Sequence, residues 1–90
     1  MLRLALALLA TPAAAQTCLP LPAVIETLTD QWGEAPVGQG LSTGGAIVTV
    51  WTNPETGTWT ITVTRPDGAT CLIGAGTDFA TLAPVRPPNT

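Results

Sequence analysis

The segment Thr58–Thr64 alternates strictly between threonine and a large apolar residue. A period of two places alternate side chains on opposite faces of a β-strand, and these residue types all favour strands. The segment therefore predicts a strand with one threonine face and one apolar face carrying Trp59, Ile61 and Val63. We expect the apolar face to pack on the core of the protein.

A turn follows this strand and predicts its neighbour on one side. Arg65–Gly68 reads Arg-Pro-Asp-Gly, which suits a type I turn followed by a glycine with positive φ. Such a loop pairs the strand with another over Thr70–Ala75 and sets Val63 opposite Cys71. The same register gives two further pairs, Ile61 with Ile73 and Trp59 with Ala75.

A second turn precedes the strand and predicts its other neighbour. Pro54–Gly57 suits a four-residue loop closed by glycine, which pairs Asn53 with Thr58. The preceding strand, Ala46–Thr52, then contributes two cross-strand pairs, Val50 with Ile61 and Val48 with Val63. A weaker strand over Pro36–Leu41 is a fourth candidate. Both registers gather apolar residues on one face, so each supports the other.

The apolar spacing before the strands has the period of a helix. One stripe at helical spacing contains Leu21, Val24, Ile25, Leu28 and Trp32. Pro22 suits a first helical turn and Gly33 suits a helix end, which predicts a helix over Pro22–Trp32. The fold class expected is α+β: one N-terminal amphipathic helix packed on a three- to four-stranded antiparallel β-meander, with Trp32 and Trp59 in the core.

Two cysteines, Cys18 and Cys71, lie far apart in the sequence. In a short exported chain two thiols usually pair, and the close spacing of a redox-active Cys-x-x-Cys motif is absent. A disulfide closing a loop of about 54 residues contributes about 4 kcal/mol in the chain-entropy model. We therefore expect a structural Cys18–Cys71 disulfide that staples the helix to the meander.

The N-terminus has the pattern of an export signal. Arg3 precedes the apolar run Leu4–Ala10, and the small residues Ala13–Ala15 follow a helix-breaking proline. This pattern predicts a signal peptide over residues 1–15, cleaved between Ala15 and Gln16, and a periplasmic or secreted protein. An uncleaved anchor is the alternative, although the apolar run is far shorter than the roughly 20 residues of a membrane span.

A lipoprotein modified at Cys18 is a further alternative, which Thr17 fits poorly because a small residue is needed before the cysteine. After processing we expect one α+β domain over 16–82. Three prolines within 83–90 predict a disordered tail.

The composition excludes several kinds of chemistry. The chain has no His, Lys or Tyr and its only serine is Ser42, so it offers no Ser/His/Asp triad, Cys/His pair or histidine-bearing zinc site. We expect no catalytic residues, metal or cofactor. The chain has three basic and six acidic residues and therefore a net negative charge, so a nucleic-acid partner is not expected. Stable membrane insertion after processing is not expected either. The remaining carboxylates fall on a helix surface or at termini and turns: Glu26, Asp30, Glu34, Glu55, Asp67 and Asp78.

From Cys18 to about Phe79 the chain resembles short exported proteins of unknown function from Gram-negative bacteria. The motifs that carry the resemblance, after the early cysteine and helix, are Trp32-Gly33-Glu34, Gly57–Thr60 and the Arg-Pro-Asp-Gly-x-x-Cys of Arg65–Cys71. The resemblance implies export and one compact domain. The order of helix and meander is also similar in topology to PepSY-type modules, periplasmic domains linked to the inhibition or regulation of proteases.

Trp51 is the candidate functional residue. The predicted registers place it on the other face of the sheet from Trp59, Ile61 and Val63. The residues expected on this face are Ile47, Thr49, Trp51, Thr60, Thr62 and Leu72. An open face with a tryptophan on a threonine background would be a recognition surface. The alternative is that Phe79 and Leu82 fold back over it.

The leading functional hypothesis is a non-catalytic periplasmic binding or inhibitor module, with a periplasmic protein as its partner. The first rival is an envelope accessory or structural protein without a discrete ligand, in which every apolar residue belongs to the core. The second rival is an enzyme that uses carboxylates alone, which would need two of them about 5–9 Å apart in one pocket.

Overall fold

The computed structural model describes residues 17–82, in which five strands form one sheet and one helix packs on it. The elements are β1 (Cys18–Pro20), α1 (α-helical over Leu21–Glu26 and π-helical over Thr27–Gln31), β2 (Ala35–Leu41), β3 (Ile47–Thr52), β4 (Trp59–Thr64) and β5 (Ala69–Gly76). The predicted signal peptide, its cleavage between Ala15 and Gln16, and the predicted tail over 83–90 lie outside the described residues.

The strand order is β1-β5-β4-β3-β2, and all neighbours are antiparallel. The α+β class and the antiparallel sheet are confirmed. The sheet has five strands, however, where three to four were predicted, and α1 follows a short strand where it was expected to open the fold. β1 has three residues and ends in proline, so no alternating pattern marks it; it forms by pairing with the edge of β5.

Both predicted turns form, and the register of β3 with β4 is as predicted. Val50 lies opposite Ile61, and Val48 lies opposite Val63. In the β4–β5 pair, Val63 lies opposite Cys71 as expected. Beyond it a β-bulge shifts the register, so the two other predicted pairs are wrong: Ile61 faces Gly74, and Trp59 faces Gly76.

The glycines of β5 explain this shift, since glycine in a strand often marks a bulge or the close approach of another group. A Cβ atom on Gly76 would lie 2.7 Å from Cζ2 of Trp59, and one on Gly74 would lie 3.6 Å from its Cζ3. The Trp59 ring therefore lies across the two positions where β5 has no side chain. Its Nε1–H donates to the Thr77 carbonyl at 3.1 Å.

The helix packs on the face opposite the one expected. The buried apolar cluster consists of Val24 and Leu28 from α1 and Trp51 from β3, with Leu72 packed against it. Trp51 is 4% exposed. α1 therefore covers the face that was predicted to be an open recognition surface. The alternative had assigned this cover to Phe79 and Leu82.

Chain handedness accounts for the choice of face. β1 and β2 run parallel at opposite edges of the sheet, so β1–α1–β2 is a crossover connection, and about 98% of such connections are right-handed. The N–H group of Asn53, the residue after β3, donates to the Thr58 carbonyl and so points toward β4. Backbone groups along a strand point alternately to its two sides, so those of Trp51, two residues earlier, also point toward β4. In a strand of L-residues, the side to which a residue's backbone groups point fixes the face to which its side chain points. Trp51 therefore lies on the face that a right-handed β1–α1–β2 crossover covers with α1.

The threonine face accepts this burial because most of its hydroxyl groups have partners. Trp51 Nε1–H donates to Thr62 Oγ1 at 3.0 Å, and Gln39 Nε2 donates to Thr49 Oγ1 at 3.1 Å. The hydroxyl oxygens of Thr64 and Thr70 lie 2.9 Å apart. A buried hydroxyl costs little once it is hydrogen-bonded, and the threonine methyl groups supply apolar contact.

The predicted disulfide is confirmed. Cys18 and Cys71 are bonded and lie directly opposite each other on β1 and β5. The pairing continues one residue earlier, where Leu72 N–H donates to the Thr17 carbonyl at 3.3 Å. Within residues 17–82 no helix is long and apolar enough to cross a membrane.

Candidate functional site

A cleft of about 570 Å³ opens between α1 and the sheet; we call it the helix–sheet cleft. Its walls are mainly apolar and include Leu19, Val24, Leu28, Trp32, Leu72 and Ala75. Threonines of α1 and β4 add hydroxyl groups, and Glu34 adds the only ionisable side chain among the lining residues. The size and the mostly apolar lining with few polar groups are typical of small-molecule sites.

Trp32 forms part of the wall of this cleft. It is 54% exposed, so its predicted place in the core is wrong. The predicted stripe assumes 3.6 residues per turn, whereas α1 widens to a π-helix over Thr27–Gln31. The wider turn rotates the last stripe residue away from the sheet. Short π-helical segments are rare and occur frequently at functional sites.

Glu34 is the buried charged group of the cleft. Its side chain is 2% exposed, and Oε1 has no hydrogen-bond partner among the described residues. Gly33 ends the helix with φ of 63°, and Glu34 N–H then donates to the Leu28 carbonyl at 2.9 Å. This return of the chain onto the last helical turn resembles a Schellman motif, which brings the second residue after the helix against the helix itself.

Sequence reasoning missed Glu34, because it assigned this carboxylate to the termini and turns. A usable signal was present. The second residue after a glycine-terminated helix commonly makes a hydrophobic contact with the last turn, and here that position holds glutamate. A charged residue at a position that favours apolar contact is a candidate for function.

Asn53 fixes the turn that carries Glu34. Its Nδ2 donates to the Trp32 carbonyl at 2.9 Å, and its Oδ1 accepts from the N–H groups of Glu55 and Thr56 at 2.8 and 3.3 Å. The same amide lies 2.7 Å from the point where a Cβ on Gly33 would be. The end of α1 and the β3–β4 loop therefore form one hydrogen-bonded unit, which holds Glu34 in place.

No cation from the described part of the chain faces this carboxylate. Arg65 is the only basic residue within 17–82, and it lies in the turn beyond the opposite end of β4 from Trp59. The Asn53 amide already donates to Trp32. A single carboxylate in a mainly apolar cleft can accept hydrogen bonds from a ligand and neutralise a positive charge on it.

The residues predicted as a recognition face divide into three groups. Thr60 and Leu72 line the helix–sheet cleft, whereas Thr49, Trp51 and Thr62 are buried on the face of the sheet that carries α1. Ile47 lies at the start of β3 and is 39% exposed. They do not form one open surface, so the candidate site moves to the cleft.

No family model, curated protein or solved structure matches this chain.

Proposed function

We propose that the protein is an exported, non-catalytic binding module that holds a small ligand in the helix–sheet cleft. The observation that carries the proposal is the cleft itself, about 570 Å³ in volume and mainly apolar. Export rests on the signal-like N-terminus and agrees with the Cys18–Cys71 disulfide, since disulfides persist in oxidising compartments. The apolar walls would supply affinity and the few polar groups orientation.

The elements around the cleft favour a preformed site. The disulfide ties β1 to β5 on one side, and Asn53 ties the end of α1 to the β3–β4 loop on the other. Trp51 packs beneath the helix against Leu28. A site held by such links loses little conformational entropy when a ligand binds, which increases affinity for a given contact area.

Binding of indole derivatives, measured by calorimetry, tests the proposal. Ala75 lines the cleft and is exposed, so Ala75→Phe should fill the cleft without disturbing the core. We expect Ala75→Phe to weaken binding at least tenfold. Ala80→Phe is the matched control, since Ala80 is exposed and lies outside the cleft, and it should bind as the wild type does.

Two results would contradict the proposal. If the wild type binds no indole derivative, the proposal is wrong and the rival hypothesis of an accessory protein without a discrete ligand is favoured. If Ala75→Phe and Ala80→Phe bind equally well, the ligand occupies another surface.

A further inference from the structure

The burial of Glu34 requires a physical explanation. A carboxylate that is 2% exposed, with one oxygen lacking any hydrogen-bond partner in the described chain, is costly in a folded protein. Most of the other acidic residues within 17–82 are exposed on turns or on the outer side of α1. Glu34 alone among them lines the helix–sheet cleft.

The missing partner has a definable chemistry. An ionised carboxylate is satisfied best by a cationic donor, because a charge-assisted hydrogen bond is roughly twice as strong as a neutral one. The lining residues offer hydroxyl and apolar groups but no cation. Trp32 lines the same cleft with an exposed indole ring, and the face of an indole attracts cations.

We infer that the helix–sheet cleft selects small ligands that carry a protonated amine on an apolar body. Glu34 accepts hydrogen bonds from the ammonium group, and the apolar walls hold the body of the ligand. This inference rests on the proposed function and specifies its ligand class. The volume of about 570 Å³ suits a ligand of this size class.

A pair of matched probes tests the selection of an amine. Tryptamine and tryptophol share an indole and a two-carbon linker, and differ in having an ammonium or a hydroxyl group at the end. We expect the disulfide-bonded protein to bind tryptamine at least tenfold more tightly than tryptophol. Glu34→Gln should abolish that preference, whereas Glu55→Gln, the same change on an exposed loop, should retain it.

The outcomes separate the inference from the proposed function. Equal affinity for the two probes overturns the inference and leaves the cleft as a binding site; binding of neither probe overturns the proposed function. The wild-type comparison is decisive even if Glu34→Gln fails to fold. Arg86 lies outside the described residues, and if the amine preference appears only in Arg86→Gln, the chain's own cation is the partner and the inference is wrong.

Discussion

Trp51 and Trp59 pack in different ways on the two faces of one sheet. Trp51 is buried under Val24 and Leu28, and its Nε1–H donates to Thr62. Trp59 is half-buried, and its ring lies against Gly76. Truncation of Trp51 would therefore leave more neighbouring side chains without contact than truncation of Trp59, although the two residues lie only eight positions apart in the sequence.

Alanine substitution of each tryptophan tests this difference. Trp51→Ala should lower the free energy of unfolding by about 3–5 kcal/mol, since it leaves a cavity and an unpaired Thr62 hydroxyl. Trp59→Ala should lower it by about 1–2 kcal/mol, in the range of a partly exposed side chain. Urea denaturation of both variants measures the two losses. A larger loss at Trp59 would mean that the core lies on the other face of the sheet.

Among the elements, those specified by local sequence could be predicted, and those specified by long-range geometry could not. The β3–β4 register follows from the turn at Pro54–Gly57, because loop length fixes pairing. β1 has no alternating pattern, and without it the parallel crossover to β2 is invisible in the sequence. The face covered by α1 depends on that crossover, so apolarity alone selected the wrong face. Glu34 was missed for a related reason, since its burial depends on how α1 ends.

Gly33 tests the role of the helix end in positioning Glu34. Gly33→Ala places a Cβ at positive φ and 2.7 Å from Asn53 Nδ2, so the turn must shift. We expect a loss of about 1–2 kcal/mol in unfolding free energy and at least tenfold weaker binding of tryptamine. Calorimetry and urea denaturation measure the two effects.

Gly68→Ala provides the matched control for this substitution. Gly68 also has positive φ, 93°, but a Cβ there meets nothing within 4 Å. It should show a similar loss of stability with tryptamine affinity unchanged. If both variants lose affinity equally, backbone strain alone is responsible and the contact with Asn53 does not position Glu34.

At the scale of the whole molecule, a small core depends on a covalent link. Only three apolar side chains within 17–82 are buried, Val24, Leu28 and Trp51. Domains of this size are marginal on core packing alone. The Cys18–Cys71 disulfide closes a loop with a sequence separation of 53, for which the chain-entropy model gives about 4 kcal/mol. That contribution is comparable to the entire stability of many small domains.

Reduction of the disulfide should therefore act on the molecule unevenly. β1 pairs with β5 through only three residues, so its release should free β1 and α1 before the β3–β4 hairpin opens. We expect hydrogen exchange in the Cys18→Ser, Cys71→Ser double variant to show lost protection in Cys18–Pro20 and α1, with residual protection in β3 and β4. Because α1 covers Trp51 and forms one wall of the cleft, tryptamine binding should be lost in the same variant. Full protection of α1 together with unchanged binding would show that packing on Trp51, without the disulfide, holds the helix in place.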